Sequence, residues 1–289
     1  RLLLSESSAP SAPCHGRHML PLSVFSASVA ALLHTAARGL VPATAPPRTR
    51  LVALSSVPRL CVLDLDECVW SPEMYTLSHM PSRPLIGDLN GRGEGVVGVH
   101  SGGDVIRIYP GALLAMQEVA DGLHGEMRMA VASSADTPLA ERIGRAAMEL
   151  LEVLPGLTMA DLLRRGCEDG RNLQIGRQPP LSSDKSRTHF PILRDACGVA
   201  YEEMLFFDDS ARRSREGGRR HTAHATHACR SPAPKVWSDH CGLVAANCPG
   251  VVTQRTPRGM QEHEWRNGLR KFAAEAAERG ASTSEPSGA

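Results

Sequence analysis

The stretch that most constrains the fold is Arg59-Leu60-Cys61-Val62-Leu63-Asp64-Leu65-Asp66. Four consecutive apolar residues, with no polar alternate, read as a strand buried on both faces, the kind from which parallel sheets are built. The run stops at two carboxylates one residue apart. Alternate side chains on an extended backbone point the same way, so Asp64 and Asp66 would share one crevice while Leu65 turns from it. In open α/β sheets that crevice lies beyond the carboxyl ends of the strands. Two neighbouring acids repel unless a cation or a shared proton relieves them, and carboxylate oxygens suit a hard dication such as Mg2+. A surface turn with two solvated aspartates is the plainer alternative.

Three later segments supply polar groups at comparable places. Met127 to Ala132 reads as a second buried strand running into Ser133-Ser134; Thr137 then caps a helix that starts at Pro138 and continues to Leu151. Strand, serine and helix start make a natural oxyanion site, although capping is the commoner job of such a serine. Lys185 opens a helix that reaches Cys197 and stops at Gly198. A lysine there opposes the helix dipole, so an anion contact explains it better than decoration. Met204 to Phe207 is a further apolar run, and it ends in Asp208-Asp209. Two acidic strand ends, one serine end and one lysine would make a dication and phosphate site.

The remaining elements are read more coarsely. Gly and Pro dominate from Trp70 to about residue 95 and exclude a long helix there. Val96 to Val99 and Val105 to Tyr109 form a hairpin around Gly102-Gly103, and Pro110 onward is helical to Gly122 or Gly125. Thr158 to Arg165 is a short helix, Gly166 to Leu181 is irregular, Gly250 to Thr253 is a final strand, and Met260 to Glu278 is an amphipathic helix.

Asp64-Leu65-Asp66 followed by Trp70, then Ala132-Ser133, then Lys185 followed by Thr188-His189-Phe190, then Phe206-Phe207-Asp208-Asp209, resemble in this order the haloacid dehalogenase superfamily of phosphatases. Within it they look like the magnesium-dependent phosphatase branch. Each motif alone is weak; all four in sequence over residues 60 to 210 are specific. The resemblance implies an α/β fold with a Rossmann-like, doubly wound parallel sheet and a minimal β-hairpin cap at about 94–110, inside a phosphatase domain at 59–275. It implies a Mg2+-dependent phosphomonoester hydrolase working through an aspartyl-phosphate, on protein phosphotyrosine or small sugar phosphates. Asp64 would be the nucleophile and Asp66 the general acid and then base. Ser133, Ser134 and Lys185 would hold the phosphate. Mg2+ would sit on Asp64, the Asp66 carbonyl, and Asp208 or Asp209. One position departs: where the superfamily usually has Thr two residues after the second Asp, this chain has Cys68. A thiol donates weakly, so a less rigid loop is expected.

Composition excludes other classes. A formal charge of +1 with 4% aromatics argues against a dedicated nucleic-acid or membrane-surface binder. Eight cysteines without a CxxC pair argue against a zinc ribbon or disulfide framework. Residues 1–58 are rich in Ser, Ala, Pro and Leu, with Glu6 as their single acid, which reads as a targeting or disordered leader. With Met19 as a candidate start, a signal-like apolar run precedes a transit-like stretch. That suits a plastid-like organelle; a cytoplasmic protein with a disordered leader is the alternative. Residues 211–236, with six arginines and His221, His224 and His227, read as an insertion, such as a retained intron, after which the likeness resumes near Asp239. Residues 276–289 read as a disordered tail. Two other functions stay open: a receiver-like phosphoacceptor domain, and a relative impaired by the insertion.

Overall fold

A computed structural model describes residues 56–135, 137–167, 169–209 and 239–282. The leader up to residue 55, the suspected insertion at 211–236 and the tail from residue 283 lie outside the described residues. Along the chain come β1 (Leu60–Leu63), β2 (Trp70–Ser71), β3 (Arg83–Asp88), β4 (Glu94–Ser101), β5 (Asp104–Ile108), α1 (Pro110–Ala120), β6 (Arg128–Ser133), α2 (Pro138–Leu150), β7 (Glu152–Leu154), β8 (Leu157–Thr158), α3 (Met159–Arg164), β9 (Leu173–Ile175), α4 (Lys185–Cys197), β10 (Met204–Asp208), α5 (His240–Asn247), β11 (Val252–Arg255) and α6 (Glu262–Ser282).

The central sheet has the order β11-β10-β1-β6-β9, with every pairing parallel. β1 lies in the middle; β6 and β9 extend to one side, β10 and β11 to the other. The sheet is therefore doubly wound, and its order reverses at β1, where a crevice opens beyond the strand ends. Leu63 is in register with both Val131 and Phe207, so Asp64 and Asp208 follow at one level while β6 runs one residue further, to Ser133. The alternation explains the unbroken apolar runs. Cys61, Leu63, Val131, Leu205 and Phe207 pack on the layer that includes Met116, Ile143, Leu163 and Trp265. Leu60, Val62, Ala132, Met204 and Phe206 pack against Phe190 and Leu193 of α4 and Cys241 and Val244 of α5. Both faces are covered, so neither admits polar residues.

The helix ends follow their local chemistry. Thr137 Oγ1 accepts from Ala140 N at 3.1 Å and Pro138 takes the first turn of α2. Asp184 caps α4 by accepting from Ser186 N at 3.0 Å, and Gly198 ends that helix at φ 60°.

Three expectations need correction, and one helix carried no expectation. The cap is more than a hairpin at 94–110: β4 and β5 belong to a four-stranded antiparallel sheet of order β2-β5-β4-β3. β3 was hidden by Pro84 and Gly87, which an edge strand tolerates because one side of its backbone needs no partner. The stretch Gly166 to Leu181 is not wholly irregular. It contains β9, a three-residue edge strand fixed by Asn172, whose Nδ2 donates to Met129 O at 2.9 Å and Leu163 O at 2.8 Å. The tail expected from residue 276 begins later, because α6 continues to Ser282. Ala276 is buried there, and Arg279 pairs with Glu275 and donates to Glu202 O at 3.0 Å. Finally, His240–Asn247 is a helix that the sequence reading did not assign.

Candidate active site

β1, β6 and β10 bring the chemistry to one edge. Asp64 N donates to Phe207 O at 2.9 Å, extending the β1–β10 ladder by one rung into the site. The chain then turns sharply: Cys68 N, Val69 N and Trp70 N all donate to Leu65 O, at 3.3, 2.8 and 3.1 Å. Glu67, in the middle of this turn, has φ 56°, and its carboxylate accepts from Tyr109 Oη at 2.8 Å. The turn folds Trp70 back so that its Nε1 donates to Asp66 Oδ1 at 3.0 Å, while Met74 N donates to Asp66 Oδ2 at 3.1 Å. Asp66 is thus held by both oxygens. Burial, working against those two donors, still pushes its carboxyl up to about 6.

Lys185 crosses from the start of α4 into the space between the two acidic strand ends. Its Nζ lies 2.8 Å from Asp64 Oδ1 and 2.6 Å from Asp208 Oδ2. All three side chains are buried; Lys185 is 1% exposed. Burial disfavours the ammonium, but Asp208 and Asp64 outweigh it and hold the Lys185 pKa above its usual range. Asp208 is driven well down by Lys185 and His240 against its own burial. Asp64 moves the other way: burial, with Asp208 and Asp209 nearby, raises it against the pull of Lys185. Asp209, half-buried at the end of β10, is pushed up to about 7 by burial and then by Asp208. One ammonium does not balance this many carboxylates, and the excess negative charge is what a dication would relieve.

His240 joins the cluster without having been anticipated. Its Nδ1 lies 3.2 Å from Asp208 Oδ2, and Asp64, Asp208 and His240 offer ligand atoms within 4.8 Å of one another. They are the group among the described residues that could hold a metal ion. Asp66 and Asp209, both expected as ligands, do not join that group with their side chains. The signal for His240 was an Asp-x-x-Gly helix start: Asp239 Oδ1 accepts from Gly242 N at 3.0 Å, but the segment offers only a short apolar stripe.

The serines stand on the β6 side of the crevice. Ser133 ends the strand, and its carbonyl accepts from Gly176 N at 2.9 Å and lies 3.1 Å from His189 Nε2. Burial first, then Lys185, lowers His189 to about 4. The neutral ring donates from Nε2, so the Thr188 hydroxyl at 2.7 Å has one proton to share between His189 Nδ1 and Asp184 O. His189 therefore ties the serine strand to the lysine helix. Ser134 Oγ donates to Ser183 O at 3.4 Å, on the loop that leads to Lys185. Cys68, in place of the expected threonine, is buried, and its carbonyl accepts from Met260 N at 2.9 Å. Its thiol lies near Thr256, yet Thr256 Oγ1 has no hydrogen-bond partner of ordinary geometry among the described residues.

A family model for acid phosphatase matches residues 56–234, more than half of the chain and the whole span from Asp64 to Asp209. No curated protein matches the chain. Among solved structures, the N-terminal part of the protein BF1531 from Bacteroides fragilis, containing a phosphatase domain complexed with Mg, is similar at 14% identity and a TM-score of 0.37. The match covers 75% of this chain and 40% of that one, so the chain spans well under two thirds of that structure. The fold assignment rests on the parallel sheet itself, not on a likeness of that size.

Proposed function

The chain belongs to the acid phosphatase family, and from that premise we propose that it hydrolyses phosphomonoesters through an aspartyl-phosphate formed on Asp64. The observation that carries this reading is the junction of β1 and β10, where Lys185 Nζ bridges Asp64 and Asp208 at 2.8 and 2.6 Å. Asp64 stands at a strand end with a backbone donor, Leu65 N, on Oδ1 at 2.8 Å, which fixes the carboxylate for attack on phosphorus. The P–O bond to the leaving group then breaks, and a new P–O bond to Asp64 splits hydrolysis into two easier steps. Asp66, raised to about 6 and oriented by Trp70 and Met74, is suited to give its proton to the leaving oxygen and to take one from the attacking water. Lys185 balances the charge spread over the phosphoryl oxygens. Ser133 and Ser134 flank the same edge as further donors. The carboxylate excess fits Mg2+, with Asp64, Asp208 and the Asp66 carbonyl as the oxygen donors that would hold it. A bound dication there would supply neutralising charge to nucleophile and phosphate.

Protein phosphotyrosine and small sugar phosphates remain the two substrate classes for this site. The direct test is hydrolysis of p-nitrophenyl phosphate by the full chain, with Mg2+ and with EDTA, beside Asp64→Asn. Turnover that needs the dication and vanishes in Asp64→Asn supports the proposal. A rate indifferent to EDTA overturns the role of the dication, and an active Asp64→Asn overturns the nucleophile. Stoichiometric phosphorylation without turnover would favour the phosphoacceptor alternative.

A further inference from the structure

The prospective metal group holds one nitrogen. His240 is the first residue of α5, and its backbone is positioned by the capping Asp239, which also accepts from Arg255 Nη2 at 2.6 Å. Cys241 and Val244 of the same helix are buried against the central sheet. This anchoring holds the imidazole against a defined oxygen: Nδ1 is 3.2 Å from Asp208 Oδ2, the atom that Lys185 also contacts. Asp208 is fully buried and Asp64 is 7% exposed, so a cation seated among these groups would exchange water for protein donors. Oxygen-only sites suit Mg2+, whereas an imidazole nitrogen raises affinity for Mn2+, Co2+ and Zn2+ relative to Mg2+.

Resting on the reading of this cluster as the dication site of a phosphomonoester hydrolase, we propose that His240 is a direct ligand through a ring nitrogen. The mixed set of Asp64, Asp208 and His240 then favours first-row transition dications such as Mn2+ over Mg2+. A histidine that only orients Asp208 by hydrogen bonding would leave the donor set purely oxygen, and its loss would not change the preference between the two ions.

The experiment uses the metal-stripped full chain and His240→Asn, whose amide can keep a hydrogen bond to Asp208 but brings no imidazole. Calorimetric titration with MnCl2 and MgCl2 gives the two affinities, and pulsed electron paramagnetic resonance of the Mn2+ form looks for modulation from a bound 14N. Circular dichroism checks that the variant is folded. We expect 14N modulation in the wild type and its loss in His240→Asn. The preference for Mn2+ over Mg2+ should fall at least roughly 10-fold in the variant, since even partners outside the ligand set cost that much. Mn2+ binding without 14N modulation, or a preference unchanged in His240→Asn, overturns the His240 assignment and leaves the dication site standing. A wild type that binds neither dication overturns the site reading itself and the assignment with it.

Discussion

Two clusters of buried charge stand out among the described residues, and they are built on opposite terms. Between α1 and α6, Glu118 is surrounded by donors: Arg266 Nη1 at 2.9 Å, Trp265 Nε1 at 2.8 Å and His124 Nε2 at 2.8 Å. Burial alone would raise its pKa, but these partners outweigh it and hold the carboxyl below the ordinary glutamate value. At the ends of β1 and β10 the terms reverse. Asp64, Asp208 and Asp209 crowd around one lysine, and two of the three are pushed up rather than down. A satisfied carboxylate ties two helices together. A group with more carboxylates than cations is one that a bound dication would complete.

The largest effect that could break this contrast is Asp64→Asn. It should lower kcat for p-nitrophenyl phosphate by ~10^4-fold or more, the scale of losing a nucleophile. Thermal stability should change by less than about 1 kcal/mol, because the change removes charge from a cluster with too much of one sign. Steady-state kinetics and a melting curve on the same preparation check both halves. Next comes Lys185→Ala. It should reduce kcat/KM by roughly 100-fold or more and destabilise by about 3–5 kcal/mol, because Asp208 would stay buried without its ammonium partner. Adding Asp208→Asn should restore much of the stability and none of the activity; denaturant titration of single and double variants measures this.

These two residues also show how far the sequence carried. β1 and β10 were legible because a strand covered on both faces must be apolar throughout, so Asp64 and Asp208 announced themselves as the places where the runs stop. Lys185 was legible because a cation at a helix start has no local reason to be there. β9 was not, since three edge residues with one buried asparagine leave no periodic trace. β3 was hidden by the proline and glycine that an edge strand accepts. His240 went unread because its approach to Asp208 depends on α5 returning to the sheet, which the Asp-x-x-Gly helix start does not encode. The Glu118 network was invisible for the same reason: its partners Trp265 and Arg266 lie 147 and 148 residues away in sequence.

Smaller effects test the balanced cluster. Glu118→Gln should destabilise the fold by about 1–3 kcal/mol, the usual cost of weakening charge-assisted hydrogen bonds to a buried acceptor. It should leave KM and kcat within about twofold, since only interactions made in the reaction change them. Chemical denaturation and steady-state kinetics decide. The smallest effect is in pH. Because the folded pKa of Glu118 is depressed, its contribution is complete above the ordinary glutamate value of 4.5 and is lost as pH falls through the folded value. The stability gap between wild type and Glu118→Gln should therefore be constant from pH 7 to about 5 and narrow below 4. A gap that widens in acid would reverse the sign assigned to this carboxylate.

Trapping the phosphoryl group is the most direct measurement of all. The full chain is mixed with a phosphomonoester, quenched in acid during turnover, reduced with borohydride and mapped by mass spectrometry. An acyl phosphate at position 64 would be reduced to homoserine there, and that mark is expected at Asp64 and nowhere else. The same mark at Asp66 or Asp208, or turnover with no marked carboxylate, would contradict it.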